Sequence, residues 1–582
     1  MRYPSLEQYQ VALQSPRTAF IDASLASGSI PTNMLSLPEV ISGGFALTYR
    51  VDVSSNRYAV RCFHKESTAL EQRYTAIAKQ LRSLASPYFL TFEYQSQGVR
   101  VDGAVFPLVK MAWASGETLG EFLEAHHKDR QKLSNLQQAL RSLATYLEQQ
   151  GIAHGDIQTG NLMVSKDGRT IQLIDYDGMF VPEVTALGSA EMGHLNFQHP
   201  KRDARHFDSR LDRFSFILLD LALRALQGHP QLWMATQCES DSIIFRANDF
   251  VDPSSSRAFT QLSKLSGLDR DVKNFAAICL GGYSEVPSLT EFINGQYTPR
   301  TAVALGTSTQ ARGRAAYLSQ YPVLAGGDYM LLKRHIGQMV ELVGRIIEVS
   351  ESRTRHGKPY VFINFADWRG QCVKLTIWST ALSKFSSKPT KSWEGRWVST
   401  KGLVDPIYRS KPSARQKYEH ISITISAPNQ ILLLDGEEAL YRLGRSSNAK
   451  VTPRVEAVNN SELLSQLREN TPSAVSSPAR PKTQQPPPSP NQQLLAKLKG
   501  QQATQSPITN RSAPATPPLQ PQRVQRTPTS TPARPPAVPI QHRTPMIVQH
   551  TQVTGKKGRI RKWLYWGGGL LFLYWVLTAF HA

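Results

Sequence analysis

The residues best equipped for chemistry are Asp156, Asn161 and Asp175. The first two lie on one short segment, IAHGDIQTGN (152–161), and the third follows in QLIDYDG (172–178). Phosphoryl transfer from a nucleotide needs such a set. One carboxylate orients the attacking hydroxyl, while an amide and a second carboxylate hold a metal on the phosphates. The plainer alternative is an acidic hairpin whose Asp and Asn only cap turns. Three such side chains at these spacings favour the chemical reading.

Several patterns predict the elements that position this set. Leu133, Leu136, Leu140, Leu143 and Leu147 recur at helical spacing, giving an amphipathic helix that leads into the 152–161 segment with its leucines in the core. A second apolar helix is predicted at DRFSFILL (212–219). Upstream, YAVRCF (58–63) alternates as a strand, residues 70–84 read as a helix, and FPLVKMAW (106–113) as a buried strand. The glycines of ISGGFALTYRV (41–51) mark a turn between strands.

Residues 37–297, after an extension at 1–36, resemble the protein-kinase superfamily. His154-Gly155-Asp156 with Asn161 stands at H-R-D-L-x-x-x-N, and Asp175-Tyr176-Asp177-Gly178 at D-F-G. The chain is similar to an atypical bacterial subgroup of eukaryotic-like Ser/Thr kinases. It shares with them YPS (3–5), AVRCF (59–63), IDYDGMFV (174–181) and the block G-H-x-x-[YF]-Q-H-P-x-R (193–202). The resemblance implies an α+β bilobed domain that uses ATP and Mg2+ to phosphorylate a protein hydroxyl. It makes Asp156 the catalytic base and Asn161 and Asp175 the metal ligands. His154 then packs behind the loop, and Asp212 holds the loop backbone from beneath. Gly43 and Arg61 fall at the phosphates, and Met111 at the hinge where adenine docks on backbone groups. Glu71 becomes the partner of Arg61, with a solvated helix-face charge as the alternative.

The chain departs from typical kinases at several of these positions. Only the middle glycine of G-x-G-x-x-G remains (Gly43), and Arg61 replaces the lysine, a wider and differently directed cation. Gln158 stands where a lysine would neutralise the transferring phosphoryl, Gly155 where an arginine would receive an activation-loop phosphate, and Lys201 at the glutamate of A-P-E. Besides an active kinase, two readings stay open: a nucleotide-binding pseudokinase scaffold, and a small-molecule phosphotransferase, because antibiotic and choline kinases also spell this loop H-G-D-x-x-x-x-N. His194, His199 and His206 match no standard metal-ligand spacing and read as ordinary hydrogen-bonded histidines.

Residues 329–434 predict a second domain. Strands at 339–349 (broken at Gly344), 360–365, 373–378, 397–404 and 420–426, with a helix at 380–385 after the third, give the order of an all-β OB-fold barrel. The run resembles OB domains that bind single-stranded nucleic acid. Arg353, Arg355 and Lys358 lie on the first loop and Lys411 and Arg415 on the fourth-to-fifth loop. Tyr360, Phe362 or Trp378 would stack on bases. Protein binding by this domain is the alternative.

The net charge is +22, much of it from the tail, where no acidic residue follows Glu469. Cys62, Cys238, Cys279 and Cys372 form no C-x-x-C pair, which fits a reducing compartment and neither a zinc knuckle nor a disulfide framework. The first residues lack the apolar run of a signal peptide. Residues 446–554, rich in Pro, Gln, Ser and Thr, predict a disordered basic linker. A polybasic flank (556–562) then precedes WLYWGGGLLFLYWVLTAF (563–580), uncharged and just long enough for one transmembrane helix. The expectation is a C-terminal tail anchor in a membrane with the domains in the cytoplasm, because basic residues stay on that side. A helix docked on the folded part is the alternative.

Overall fold

The computed structural model describes residues 3–444 except 34–35, 43–45, 66–68, 307–314, 355 and 414. Gly43, Arg355, the 446–554 linker, the basic flank and the 563–580 segment therefore lie outside the described residues. All described residues belong to one compact unit. Its architecture is α+β, with several small sheets and helices packed around them.

Strands β1 (Val40–Ser42), β2 (Ala46–Val53), β3 (Asn56–Phe63), β4 (Phe92–Val101) and β5 (Ala104–Ala112) form an antiparallel sheet in the order β1-β2-β3-β5-β4. Strand alternation splits its side chains between two cores. Ala46, Phe63, Val109 and Met111 face the helix Leu70–Leu84, which buries Tyr74, Ile77, Ala78 and Leu81 at helical spacing. Leu47, Tyr49, Val60, Cys62 and Leu108 face the other way, against Leu6, Tyr9, Leu13, Phe20 and Leu25. The 1–36 region is thus a layer of the fold, its described part sealing the second face of the sheet. Ser5 closes a capping box on the helix Leu6–Ala12, and the Tyr9 hydroxyl donates to the Phe63 carbonyl at 2.7 Å.

The helix Arg130–Gln150 begins at an Asp129 side-chain cap and ends at Gly151, whose φ of +63° suits the left-handed C-terminal turn. All five predicted leucines are buried, each contributing roughly 1.5–3 kcal/mol of apolar burial. They pack with the helices Arg213–Gly228 and Asp269–Leu280 in one core. A small sheet of β6 (Glu117–Thr118), β7 (Leu162–Val164) and β8 (Ile171–Leu173), in that order, makes the hairpin between the 152–161 loop and Asp175.

The C-terminal part of the described chain has its own core. Its strands are β9 (Val323–Ala325), β10 (Met339–Arg345), β11 (Glu348–Arg353), β12 (Pro359–Asn364), β13 (Gln371–Ile377), β14 (Trp397–Leu403), β15 (Tyr408–Arg409), β16 (Glu419–Ile425) and β17 (Ile431–Leu434). They form two sheets, β17-β14-β10-β9 and β11-β12-β13-β16-β15, rather than one closed barrel. The long first strand divides between the sheets, one residue beyond Gly344. Gly344 itself stays in β10, where a Cβ would lie 2.6 Å from the Phe365 ring. β13 and β16 run parallel, and an isolated Val404–Ile423 bridge links the end of β14 to β16. The helix after β13 spans Ser379–Leu382, shorter than expected, and a helix at Gly436–Arg442 follows β17.

Candidate active site

The loop after Gly151 is fixed from three sides. From beneath, the buried Asp212 carboxylate accepts the main-chain N–H groups of His154 (2.5 Å) and Gly155 (2.8 Å). Burial raises the Asp212 pKa, opposed by His154 and these two N–H donors. From behind, His154 is fully buried, with Nε2 2.9 Å from the Ile174 carbonyl and Nδ1 accepting the Asp156 N–H at 3.3 Å. These partners place the His154 proton on Nε2. Along the third side, Ala153 and Phe180 exchange main-chain hydrogen bonds of 3.1 and 2.8 Å. Gly155 has a φ of +80°, and a Cβ there would lie 2.1 Å from the Gly178 carbonyl oxygen. No side chain, arginine included, fits this close approach.

Asp156 is 8% exposed and multiply held. Its Oδ1 accepts the His194 main-chain N–H at 2.7 Å, and its Oδ2 accepts Asn161 Nδ2 and Gln158 Nε2, each at 2.8 Å. Asn161 Nδ2 also donates to the Asp156 carbonyl at 3.0 Å, so its amide oxygen is turned away from the Asp156 carboxylate. Gln158 thus sits on the Asp156 carboxylate itself.

Arg61 is buried and bridges two carboxylates, Asp175 Oδ1 and Asp177 Oδ2, at 2.6 Å each. Burial opposes its charge, and Asp175 and Asp177 more than restore it, keeping the guanidinium fully cationic. The Tyr74 hydroxyl donates to the other oxygen of Asp177. Burial raises the Asp177 pKa against the pull of Arg61. Glu191 completes the cluster: burial, then Asp177, Asp175 and Asp156, push its pKa well up. Asp175 adopts a φ of +66°, uncommon for a residue with a side chain.

The expected Arg61–Glu71 pair does not form. Glu71 lies exposed in the first turn of its helix, and Tyr74, one turn later, takes the inward place beside Asp177. Met111 is buried on β5 opposite Ala59 and Phe92. Beyond it, the N–H groups of Ala112 and Trp113 already bond the Thr91 and Arg57 carbonyls. His199 binds the Ile278 carbonyl, His206 neighbours Asp203 and His194 meets Asp241, so the three histidines have separate partners. Among the described residues no three acidic, histidine or cysteine side chains converge to hold a metal. Asp175 and the free amide oxygen of Asn161 are hard oxygen donors, a set that fits Mg2+ sharing its remaining ligands with phosphate and water. The sequence offered Asp177 only as a member of a longer motif and did not single out Glu191. Nothing local marked the convergence of Asp175 and Asp177 on Arg61.

A second cluster lies on the β11–β16 sheet. Tyr360, Phe362 and Trp378 meet with ring centroids 4.9–6.1 Å apart, all partly exposed. Lys374 Nζ sits 3.8 Å from the Phe362 centroid and 3.1 Å from His420 Nδ1. The strip continues through Tyr418, stacked 4.5 Å from His420, to Trp368. Burial lowers the Lys374 pKa to about 8. Lys358, Lys411 and Arg415 are exposed on the flanking loops, whereas Arg353, expected on the first loop, is the exposed last residue of β11, paired with Pro359. The strand pattern pointed to the three aromatics but missed Lys374, Trp368, Tyr418 and His420, brought together only by the pairing of β13 with β16. Neither a scan of protein-family models nor a search of curated proteins finds a match to this chain.

Proposed function

We propose that the chain is an atypical protein serine/threonine kinase that transfers the ATP γ-phosphoryl group to a protein hydroxyl. The observation that carries this reading is Asp156, locked by three donors, with Asn161 bonded to it and Asp175 at the end of the adjoining hairpin. In this reading residues 37–297 are a bilobed kinase-like domain, its cleft between the first sheet and the helical part. Asp156 Oδ2 accepts the proton of the substrate hydroxyl as Gln158 turns aside, and the His194 N–H keeps Oδ1 in place. Mg2+ would spread the phosphate charge, held by Asp175 and the Asn161 amide oxygen. Arg61 would exchange part of its contact with Asp175 for a phosphate oxygen. Phosphate transfer from labelled ATP to the chain itself or to a protein acceptor tests this reading, with no transfer as the refuting result.

A second reading, a nucleotide-binding pseudokinase, draws on the Arg61 bridge, which already neutralises the metal-binding carboxylate. Nucleotide-dependent thermal stabilisation without turnover separates it from the first. We read the two C-terminal sheets as a partly open OB-like module. The aromatic strip and its basic loops support binding of single-stranded nucleic acid, through stacking and phosphate contacts. Residues 563–580 would anchor the chain in a membrane, with the polybasic 556–562 against anionic headgroups.

A further inference from the structure

The turn at residues 239–242 meets the OB-like region and the loop that holds Asp156. Lys401, on β14, reaches Glu239 Oε2 at 2.8 Å and Asp241 Oδ1 at 2.7 Å. The other oxygen of Asp241 lies 3.1 Å from His194 Nε2. His194 Nδ1 accepts the Asn196 N–H at 3.2 Å, which leaves the proton on Nε2 to be donated to Asp241. The main-chain N–H of the same His194 donates to Asp156 Oδ1 at 2.7 Å. An unbroken chain of charge-assisted contacts therefore runs from β14 to the base.

We propose that Lys401 is a positioning residue for Asp156: through Asp241 and His194 it fixes the N–H that holds Asp156 Oδ1, so the phosphotransfer site is complete only with the OB-like region docked. This inference rests on the kinase reading above. Three further observations support it. The loop enters His194 through Gly193, at a φ of +69° and so close to the Gly155 carbonyl that a Cβ would stand 2.7 Å away. A glycine there leaves the N–H free to swing unless His194 is tied down. The docking is also fixed by buried charges: Arg442 joins Glu239 at 2.8 Å to Glu341 at 3.0 Å, with both Arg442 and Glu341 fully buried. Finally, Gln320, on the segment entering the OB-like region, accepts the N–H of Leu195 at 3.0 Å, a second tie on the same loop.

Without the ammonium, Asp241 is a buried carboxylate short of its main counter-charge and gives up its fixed place beside His194. The test uses the full chain carrying Lys401→Met, with Lys401→Arg as the charge-keeping rescue and Asp241→Asn as an independent break. Turnover should fall on the order of 10²-fold in Lys401→Met, the size expected of a misplaced base. KM for ATP should stay within about twofold, because the nucleotide contacts are elsewhere. Lys401→Arg should recover most of the rate. Hydrogen exchange of the peptide containing His194 should quicken about tenfold in Lys401→Met. That second readout needs no activity. A wild-type chain without turnover defeats the kinase reading, and exchange alone then decides the link. Wild-type kcat in a folded Lys401→Met, or unchanged exchange at His194, overturns the proposal. Should Lys401→Met not fold, the same two outcomes are read from Asp241→Asn.

Discussion

Replacing Arg61 with methionine should destabilise the fold and at the same time open the site to free metal. The guanidinium is 6% exposed and holds two carboxylates at 2.6 Å, Asp177 at 10% and Asp175 at 33% side-chain exposure. Removing one partner of a buried pair costs about 3–5 kcal/mol. The Asp177 contact is the buried one, and solvent screens the Asp175 contact, so we expect about 3 kcal/mol in all. At about 2–4 °C per kcal/mol for a domain of this size, Tm should fall by roughly 6–12 °C. The loss should also depend on pH. Burial already raises the Asp177 pKa, so the folded state binds the Asp177 proton more tightly than the unfolded chain does. A raised carboxyl pKa means stability falls as pH rises from the unfolded carboxylate value through the folded one. Loss of Arg61 raises that pKa further, so the penalty should be full at neutral pH and relieved on acidification. Thermal unfolding of wild type and Arg61→Met across pH, with and without millimolar Mg2+, checks both parts. Mg2+ should stabilise the variant more than the wild type, because Asp175 and Asp177 are freed. Equal Tm for the two proteins, or a deficit that grows on acidification, refutes the reasoning.

Introducing an arginine at position 155 should fail. Gly155→Arg places a Cβ 2.1 Å from the Gly178 oxygen at a φ of +80°, and denaturant unfolding should show a loss above about 3 kcal/mol. Single-stranded DNA or RNA should bind the full chain through the aromatic strip. Trp378→Ala should weaken binding by about 1–3 kcal/mol, and each of Lys358→Ala and Lys411→Ala should lower the salt slope by about one. Affinity should fall between pH 7 and 9 as Lys374, with its pKa near 8, loses its charge, and Lys374→Met should flatten that dependence. Titrations that are flat at low salt would leave a protein ligand for this face. Removal of residues 556–582 should release the chain from membranes in carbonate extraction with turnover unchanged, whereas a full-length chain that already washes off would exclude the span.

Local pattern made some of this fold legible. The leucine spacing of Arg130–Gln150 needed only its own period, and strands β12, β13, β14 and β16 needed only alternation. Long-range placement left the rest unread. The helices within 1–36 are so short that their apolar residues show no period, yet Leu6, Tyr9 and Leu25 cover a whole sheet face. Glu71 lies on the expected helix, but which turn of a helix faces inward depends on the helix's packing, and Tyr74 took that place. The Lys401–Asp241 and Arg442–Glu239 contacts join residues far apart in sequence, through side chains that read locally as solvated charges. In the site, Asp156, Asn161 and Asp175 stood out by spacing. Arg61 bridging Asp175 and Asp177 could be found only once β3 faced the end of β8.

The most direct measurement is phosphoryl transfer from ATP by purified full-length wild type and Asp156→Asn, alongside nucleotide-dependent thermal shifts for both. The asparagine keeps the size of the side chain and an oxygen for the His194 N–H, but removes the proton acceptor. Transfer should be lost while Mg2+–ATP still stabilises the variant, because Asp175, Asn161 and Arg61 are intact. Equal transfer by the two proteins, or none by the wild type, would contradict the account.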